Sequence, residues 1–315
     1  MKRVIGLGQC SLDYLAVVDP YPPANSKVDV LEWDEQGGGP VATALVTLSM
    51  FGVSCSFCGV IGDDHEGKKI RDDLIRSGID VAGLRQRAGH ASQVAFIAVE
   101  KGTGNRTVFC RRSTGPDLAG DELPDAAFSG AGVLLVDGVM PDACLRAAEE
   151  AEERNVPVLL DAGRIREGTL RLIGHCDYVV GSTLFAEQLG WTGDPASFQK
   201  RAASLGFRKA LTLTFGERGS VTFEPGASTG DRSGPKAGRW FKTSALSVKA
   251  LDTTGAGDVF HGAYCYGILK GWPLDLTLEF ASAAAALKCK KLGGRSGIPT
   301  LDAVFQHLQH PIPRS

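Results

Sequence analysis

The sequence lacks a dominant charge and lacks any long apolar run. Its 34 Lys and Arg residues nearly balance 36 Asp and Glu residues, which gives a formal net charge of −2. A chain this close to neutral has no basic field for nucleic acid. No stretch reaches the roughly 18 consecutive apolar residues of a membrane span. We therefore expect neither a nucleic-acid partner nor a membrane partner, and we expect a cytoplasmic protein.

The chain also lacks a cysteine pattern suited to a metal. Among its eight cysteines only Cys55 and Cys58 form a close pair, and they fall in a segment whose composition indicates a buried strand. Residues three apart on a strand point to opposite faces and cannot easily bind one metal ion. We expect reduced thiols that pack as small apolar groups.

What the sequence does have is a long alternation of short apolar runs with helical patterns. With 43% apolar residues in a chain of 315, a large core can form. The alternation predicts an α/β fold in which helices cover both faces of a mostly parallel sheet. Ligands of such sheets bind beyond the carboxyl ends of the strands. The expected strands are 4–8, 55–60, 133–137, 158–161, 178–181 and 211–215, and the expected helices are 41–51, 66–77, 142–154 and 198–205.

The most informative motif runs from Asp252 to Asp258 and reads D-T-T-G-A-G-D. Apolar residues at helical spacing follow it, so its glycines fall at a helix N-terminus, where unpaired N–H groups and the helix dipole attract anions. Gly255 and Gly257 lack a Cβ and allow backbone donors to approach a phosphate closely. The carboxylate of Asp258 adds like charge to this site, which a role as general base explains. The alternative is an Asp that only stabilises its own helix.

At these residues the chain resembles the ribokinase-like (PfkB) carbohydrate kinases, whose signature D-T-x-G-A-G-D begins a late helix. The resemblance covers essentially the whole chain and implies one domain over residues 1–315, a doubly wound, mostly parallel sheet with a small β-sheet lid. It implies Asp258 as catalytic base and the N–H groups of Gly255, Ala256 and Gly257 as the anion hole for the phosphoryl group. It also implies ATP and magnesium as cofactors.

Two further segments resemble the sugar site of the family. The run Q-G-G-G-P-V-A-T, which contains Gly38 as a substrate contact, matches the signature G-G-x-x-x-N-x-A except that Ala42 replaces the Asn that contacts sugar hydroxyls. Asp13 stands where these kinases bind sugar hydroxyls. Without the resemblance, the glycines indicate only a turn, and Asp13 indicates a helix cap or a turn.

The resemblance places the nucleotide along the segment L-T-L-T-F-G-E-R-G, with Thr214, Gly216 and Gly219 as contacts. A plain hairpin is the alternative. Ser182 and Phe185 stand at the two ends of the family's N-x-x-E motif, and Ser182 is a further nucleotide candidate. Without both polar ends, magnesium is left mostly to the phosphates and to water.

A monovalent cation, potassium, is also implied. In relatives the segment L-K-C-K-K-L-G-G-R-S-G-I-P, residues 287–299, binds this cation together with Asp252 and Thr254. Backbone carbonyls are the implied ligands, so the side chains leave the question open.

Two segments interrupt the alternation and predict antiparallel strands, one near residues 27–33 and a hairpin over 93–110. In the resemblance, segments near 11–35 and 90–112 form a lid over the sugar and often the contact of a homodimer. The alternative is a peripheral hairpin without a functional role. The Gly-, Ser- and Pro-rich residues 224–238 predict a surface loop near the nucleotide.

Within the family, the motifs look closest to the sulfofructose kinases. Lys27 falls where that subfamily has a lysine beside the substrate, but Val139 stands where it has an Arg that binds the sulfonate. Lys27, Arg111 and Arg112 lie on or beside the lid segments, so we expect a substrate with an acidic or strongly polar group. Neighbouring residues of a strand face opposite ways, so at most one of the two arginines points inward.

The predicted function is the ATP-dependent phosphorylation of a primary hydroxyl of a sugar or sugar derivative. A nucleoside kinase is one alternative, which needs an aromatic or apolar slot for the nucleobase. A catalytically silent sugar-sensing module is another, suggested by Ala42 and by the segment after Ser182. The intact motif around Asp258 argues against a silent protein.

Overall fold

The computed structural model describes residues 2–226 and 238–308. Within these ranges the chain forms two β-sheets and a set of helices. The strands are β1 (Arg3–Leu7), β2 (Ser11–Val18), β3 (Glu32–Gly38), β4 (Cys55–Gly62), β5 (Ile79–Arg87), β6 (Val94–Glu100), β7 (Arg106–Arg111), β8 (Ala131–Val136), β9 (Val158–Ala162), β10 (Tyr178–Gly181), β11 (Ala210–Thr214), β12 (Ser220–Pro225) and β13 (Gly238–Thr243). The α-helices are α1 (Pro40–Met50), α2 (His65–Arg76), α3 (Pro141–Glu153), α4 (Thr169–Ile173), α5 (Thr183–Gln188), α6 (Pro195–Ala203), α7 (Ala256–Lys270), α8 (Leu274–Lys288) and α9 (Leu301–Phe305).

The large sheet has nine strands in the order β13-β12-β11-β10-β9-β8-β1-β4-β5. The strands from β11 to β5 pair in parallel, whereas β12 and β13 add an antiparallel edge. The predicted α/β class with a mostly parallel sheet is therefore confirmed. All six predicted strands and all four predicted helices are present, with ends shifted by a few residues.

Two apolar cores lie on opposite faces of this sheet. Val4 of β1 packs in the core that contains α1, α7 and α8, and its neighbour Ile5 packs in the core that contains α3 and α6. Cys55 and Cys58 divide in the same way between the two cores, as their spacing predicts. The helices therefore cover both faces, and the carboxyl ends of the parallel strands remain accessible at one edge. In the described part of the chain, no helix combines the length and apolarity needed to cross a membrane.

The second sheet has four strands in the order β3-β2-β6-β7 and is called the lid here. Strands β6 and β7 form the predicted hairpin. The strand predicted near residues 27–33 is wrong in its position, because β3 begins only at Glu32 and pairs with β2, which the sequence pattern did not predict. Pro20, Pro22 and Pro23 precede it, and proline cannot donate a ladder hydrogen bond.

Three strands of the large sheet were also not predicted. Strand β5 is at one edge, and β12 and β13 are at the other. Their residues alternate or mix buried and exposed side chains, so they carry no continuous apolar run. Much of the loop predicted over residues 224–238 lies outside the described residues.

Candidate active site

The N-terminus of α7 has the geometry of an anion site. Gly255 precedes the helix with φ 73°, and a Cβ there would lie 2.7 Å from the Cα of Gly294, so only glycine fits. A Cβ on Gly257 would meet no atom within 4 Å. The N–H of Ala256 donates to the carbonyl of Thr253 at 3.2 Å. Within the described residues the N–H groups of Gly255 and Gly257 have no hydrogen-bond partner.

Asp258 lies in the first turn of this helix, beside those donors. The net pKa of its carboxyl is raised to about 6. Burial and the negative charge of Asp161 raise this pKa, whereas His261 and Arg106 lower it. A carboxylate with a pKa close to the working pH is suited to accept a proton. These properties are compatible with the predicted role of Asp258 as a base, and that role stays a prediction.

Two side chains next to Asp258 were not predicted. Asp161 lies near the end of β9, and the ligand atoms of Asp161, Asp258 and His261 all lie within 4.8 Å of one another. Nδ1 of His261 is 3.4 Å from Oδ2 of Asp161, yet neither ring nitrogen makes an aligned hydrogen bond among the described residues. Burial lowers the pKa of His261, which favours a neutral imidazole, and raises the pKa of Asp161 to about 7.

Asp137 adds a third buried carboxyl at the neighbouring strand end. It follows β8 and accepts the N–H groups of Gln9 at 2.7 Å and Val139 at 3.0 Å. Burial raises its pKa to about 6 despite these bonds, and the charge of Asp161 adds to the effect. The sequence signal for Asp137 and Asp161 was available, because each closes a predicted strand of a parallel sheet.

The predicted sugar contacts Asp13 and Gly38 lie side by side on β2 and β3. A Cβ on Gly38 would fall 2.0 Å from Oδ2 of Asp13, and the hydroxyl of Ser11 donates to Oδ1 of Asp13 at 2.6 Å. Asp13 belongs to a strand, so it is neither a helix cap nor a turn residue. Its pKa is raised by burial.

Arg295 is a further residue of the candidate site that was not predicted from the sequence. Its buried guanidinium pairs with Asp73 and donates to the carbonyl of Gly38 at 3.1 Å. Its positive charge also acts on Asp13 and lowers the pKa of that carboxyl in part. Arg295 lies in the segment 287–299, so this segment reaches the sugar side of the site.

Asp252, Thr254 and Lys288 form a buried cluster behind the anion site. Oδ1 of Asp252 accepts the N–H of Thr254 at 2.8 Å and its hydroxyl at 2.7 Å, and Oδ2 accepts the N–H of Gly293 at 2.6 Å. The ammonium of Lys288 donates to the backbone carbonyl of Asp252 at 2.9 Å, and the side chains of Asp252 and Lys288 are completely buried.

The nucleotide candidates lie at the ends of β10 and β11. The hydroxyl of Thr214 donates to the carbonyl of Gly181 at 3.1 Å, and Ser182 caps α5 by accepting the N–H of Phe185 at 3.2 Å. Gly219 has φ 82°, and a Cβ there would lie 2.1 Å from the carbonyl oxygen of Thr243. Strands β11 and β12 do form a hairpin, so Gly219 is explained by the turn alone. The nucleotide role of these residues, Gly216 included, stays a prediction.

The basic residues of the lid take different positions. Lys27 is exposed in a segment without regular structure, and the structure does not bring it to the other site residues. Arg111 donates to the carbonyl of Ser92 at 3.2 Å and lies 3.8 Å from a carboxylate oxygen of Asp64. Arg112 instead lines a cavity at the strand ends. The two neighbouring arginines thus point to different surroundings.

This cavity, called the strand-end cavity here, has a volume of about 520 Å³. Most of its wall is made by residues that follow β1, β7, β8 and β9, and β4, the residue before β6 and α5 complete it. The wall includes Gln9, Gln93, Arg112, Arg164, Arg166 and Val139, the last of which is at the predicted sulfonate position. Its size is that of a small-molecule site.

Comparisons with known proteins agree with this arrangement. Residues 1–301 match the profile described as pfkB family carbohydrate kinase. The ATP-dependent ribose-1-phosphate kinase of Halopiger xanaduensis is 27% identical over 311 residues, which cover 98% of each chain. A solved structure of a candidate ribokinase from Agrobacterium tumefaciens is 25% identical, covers 97% of this chain and 96% of its own, and has a TM-score of 0.84. An Escherichia coli candidate ribokinase II in complex with ATP and Mg²⁺ shares the fold at 18% identity, with a TM-score of 0.78 and coverage of 96% and 98%.

Proposed function

Because the chain belongs to the pfkB family of ATP-dependent carbohydrate kinases, we propose that it transfers the γ-phosphoryl group of ATP to a primary hydroxyl of a sugar or sugar derivative. The observation that carries this proposal is the carboxyl of Asp258, which lies in the first turn of α7 with its pKa raised to about 6. The free N–H groups of Gly255 and Gly257 start the same helix.

In the proposed reaction Asp258 accepts the proton of the attacking hydroxyl while the oxygen of that hydroxyl bonds to phosphorus and ADP leaves. The N–H groups of Gly255 and Gly257 donate to the phosphoryl oxygens, where charge accumulates. Ala256 joins them only when its bond to the carbonyl of Thr253 opens. The buried ring of His261 lies beside Asp258, with ligand atoms of the two residues within 4.8 Å of each other.

Magnesium would enter this site with the phosphates of ATP. Asp161 is the side chain suited to hold it, directly or through water, because carboxylate oxygens are its preferred protein ligands. Burial raises the pKa of Asp161 to about 7, and a cation bound beside it would favour the ionised carboxylate. When bound, the ion neutralises charge on the phosphates.

The sugar is proposed to lie between the lid and the strand ends, in contact with Asp13 and Gly38. Asp13 offers a buried acceptor for hydroxyls, and the missing side chain of Gly38 leaves room for the carboxylate of Asp13. A nucleoside kinase stays the alternative, because Val60, Val139, Met140 and Ile165 give the strand-end cavity an apolar part, although no aromatic residue lines it in the described part of the chain. The substrate of the Halopiger relative, by its name, is a phosphorylated sugar.

We also propose a homodimer through the outer face of the lid. Tyr14, Trp33, Phe96 and Phe109 form a continuous aromatic row on this face, with ring centroids 5.9 to 6.1 Å apart. Trp33 is 58% exposed and Phe109 is 54% exposed. A second copy of the chain would cover this row with the same row, as a two-fold interface requires.

The activity is tested by measuring ADP release from ATP and magnesium with a panel of neutral sugars, acidic sugars and nucleosides. The proposal expects turnover with at least one sugar and none with nucleosides. Turnover confined to nucleosides would support the alternative kinase instead.

A further inference from the structure

Three arginines of the strand-end cavity form no ion pair within the described part of the chain. Arg112 follows the lid strand β7, and Arg164 and Arg166 follow β9. Within residues 2–226 and 238–308, none of the three guanidinium groups makes a hydrogen bond or an ion pair. The chain thus brings three cations from two distant segments to one concave wall and leaves their donors unused.

These charges also act on one another. The pKa of the half-buried Arg166 is lowered by burial and by the charges of Arg164 and Arg112, and it is raised in part by Asp137 and Asp161. The hydroxyl of Ser113, which lines the same cavity, is buried without a hydrogen-bond partner among the described residues. Uncompensated like charges and an unused hydroxyl both weaken the unliganded state, and an anionic ligand would relieve both.

The cavity is linked to the proposed catalytic carboxyl through Asp137. Gln9 and Val139 line the cavity, and their backbone N–H groups bind Asp137. The charge of Asp161 acts on Asp137, and carboxylate oxygens of Asp161 and Asp258 lie within 4.8 Å of each other. Asp258 itself does not line the cavity, so a ligand bound by the arginines would have to extend past Asp137 to bring a hydroxyl to Asp258.

The wall carries one opposing charge. Asp117 also lines the cavity, but it is exposed and its charge acts on Arg87. The nucleotide candidate Thr214 ends β11, and Ser182 follows β10 and donates its hydroxyl to the carbonyl of Gly163 at 2.7 Å. Arg164 is therefore close to a nucleotide candidate in the chain, and the test below also measures the KM of ATP.

We propose that Arg112, Arg164 and Arg166 bind an acidic group of the sugar substrate, a carboxylate, a sulfonate or a phosphate. Guanidinium groups match all three anions with paired hydrogen bonds. This inference rests on the proposed kinase function and names its substrate class. Of the three basic residues predicted near the substrate, only Arg112 lines the cavity. Arg111 instead contacts Asp64 and Ser92, and Lys27 lies outside the cavity. The other two basic residues of the cavity are Arg164 and Arg166.

The test compares matched pairs of substrates by ADP release: a sugar with its phosphate ester, with its acid and with its sulfonate. We expect kcat/KM for one anionic member to exceed that of its neutral partner by about 100-fold or more, because the unpaired arginines reject a ligand that lacks the acid. The preferred anion among the three pairs identifies the source of the charge.

The variants Arg112→Ala, Arg164→Ala and Arg166→Ala are then compared on that substrate. Each should raise its KM by about tenfold with a smaller change in kcat, and should leave the neutral partner unaffected. Arg171→Ala is the matched control, because this arginine is exposed on the nearby α4. Thermal unfolding shows whether each variant is folded.

Three results separate the hypotheses. Equal kcat/KM for neutral and anionic sugars, with unchanged KM in the three variants, would overturn the acidic substrate and leave the kinase intact. A rise in the KM of ATP instead of the sugar would assign the arginines to the nucleotide and also overturn the inference. No turnover with any sugar would reject the proposed function itself.

A second inference rests on Lys288, an independent observation. Its side chain is completely buried at the end of α8, and its ammonium donates to the carbonyl of Asp252. Burial lowers the pKa of Lys288, and the carboxylate of Asp252 raises it in part. A buried ammonium is held only where a negative or strongly polar group compensates it.

This ammonium lies where the resemblance implied potassium. The carboxylate of Asp252 is already bound by Thr254 and Gly293 through both oxygens. A second cation beside Lys288 would add like charge to a buried cluster, so the residues do not fit a bound monovalent ion. We infer that Lys288 replaces the monovalent cation and fixes the loop before α7 from within the chain.

This inference is tested first by the potassium dependence of the wild-type protein. Its turnover should be the same within about twofold when potassium chloride at about 0.1 M replaces tetramethylammonium chloride at equal ionic strength. Lys288→Ala should lose turnover and regain part of it on addition of potassium or ammonium ions. Lys290→Ala, an exposed neighbour, is the control. Saturable activation of the wild-type protein by potassium would overturn the inference, even if Lys288→Ala does not fold.

Discussion

The guanidinium of Arg106 donates a hydrogen bond of 2.7 Å to the hydroxyl of Thr253, and this contact joins the lid to the loop before α7. The hydroxyl of Thr253 in turn lies 3.5 Å from the carbonyl of Gly104 at the tip of the lid hairpin. The positive charge of Arg106 lowers the pKa of Asp258. The position of the lid and the protonation of the proposed base are thereby connected.

Replacement of this arginine should therefore change the pH dependence of catalysis. Arg106→Ala removes a charge that favours the ionised form of Asp258, so the acid limb of the kcat/KM profile should move to higher pH. The KM of the sugar should also rise, because the lid loses its contact with Thr253. Arg106→Lys keeps the charge and should keep most of the wild-type profile. An identical profile in Arg106→Ala would disprove the electrostatic link.

Removal of the proposed base should abolish most turnover without disturbing ATP binding. Asp258→Asn should reduce kcat by on the order of 10² to 10⁴, the usual effect of losing a general base. Single-turnover kinetics and ATP titration give the two quantities. An Asp that serves only its helix would instead affect stability, by roughly 1 kcal/mol or less. Retention of more than about a tenth of the turnover would show that the base is elsewhere.

Asp161 should control the pH dependence of both activity and stability. Its charge raises the pKa of Asp258, so Asp161→Asn should shift the acid limb of kcat/KM to lower pH. The pKa of Asp161 itself is about 7 in the folded protein against an ordinary value of 3.8. A raised carboxyl pKa stabilises the fold below the ordinary pKa, and this contribution is lost progressively as the pH rises from 3.8 to about 7. Melting curves should therefore show a Tm advantage of Asp161→Asn over the wild-type protein that grows between these two pH values and is constant above them; equal Tm differences at every pH would contradict the assignment.

Gly257 offers a way to separate chemistry from folding. A Cβ at this position meets no protein atom within 4 Å, so Gly257→Ala should fold and should change stability by no more than about 1 kcal/mol. Gly257→Val should lower kcat strongly, because its methyl groups would occupy the space in front of the free N–H groups. Denaturant unfolding measured beside kinetics makes the comparison. A valine variant with full activity would exclude close phosphate approach.

The lid face provides a test of assembly. Phe109→Lys places a charge in the exposed aromatic row and should convert a dimer into a monomer, as measured by analytical ultracentrifugation. Val108→Lys is a suitable comparison, because Val108 is similarly exposed, at 50%, but lies on the other face of the same strand. A wild-type protein that is monomeric at all concentrations would refute the proposed dimer.

Much of the fold could be predicted because the buried strands of a parallel sheet are continuous apolar runs. The run at Tyr178–Gly181 is predicted to the residue. Strand β2 was missed, because Asp13 and Tyr14 interrupt the apolar pattern of S-L-D-Y-L-A-V-V. Edge strands such as β13 carry polar residues on one side and give the same weak signal.

The candidate site was predictable only where one short segment contains it. The motif from Asp252 to Asp258 forms its own helix start, so sequence and geometry coincide. The contacts of Arg295 and Lys288 depend on chain segments that are far apart in sequence, as for Arg295 and Gly38, which lie 257 positions apart. Lys27 is close to the lid strands in sequence but does not line the strand-end cavity, whereas Arg164 is far from them in sequence and does line it. Position in the sequence therefore did not predict which basic residues reach the cavity.

The eight cysteines carry a practical consequence. Seven are buried, and only Cys110 is exposed, on strand β7 of the lid. Cys110 lies in register with Ala95, which lies in register with Asp13, so the three residues form one row across the sheet. A thiol-reactive fluorophore should therefore attach at a single natural position, without mutagenesis, on the same face of the lid as Asp13. Its emission would report ligand entry and lid movement in real time.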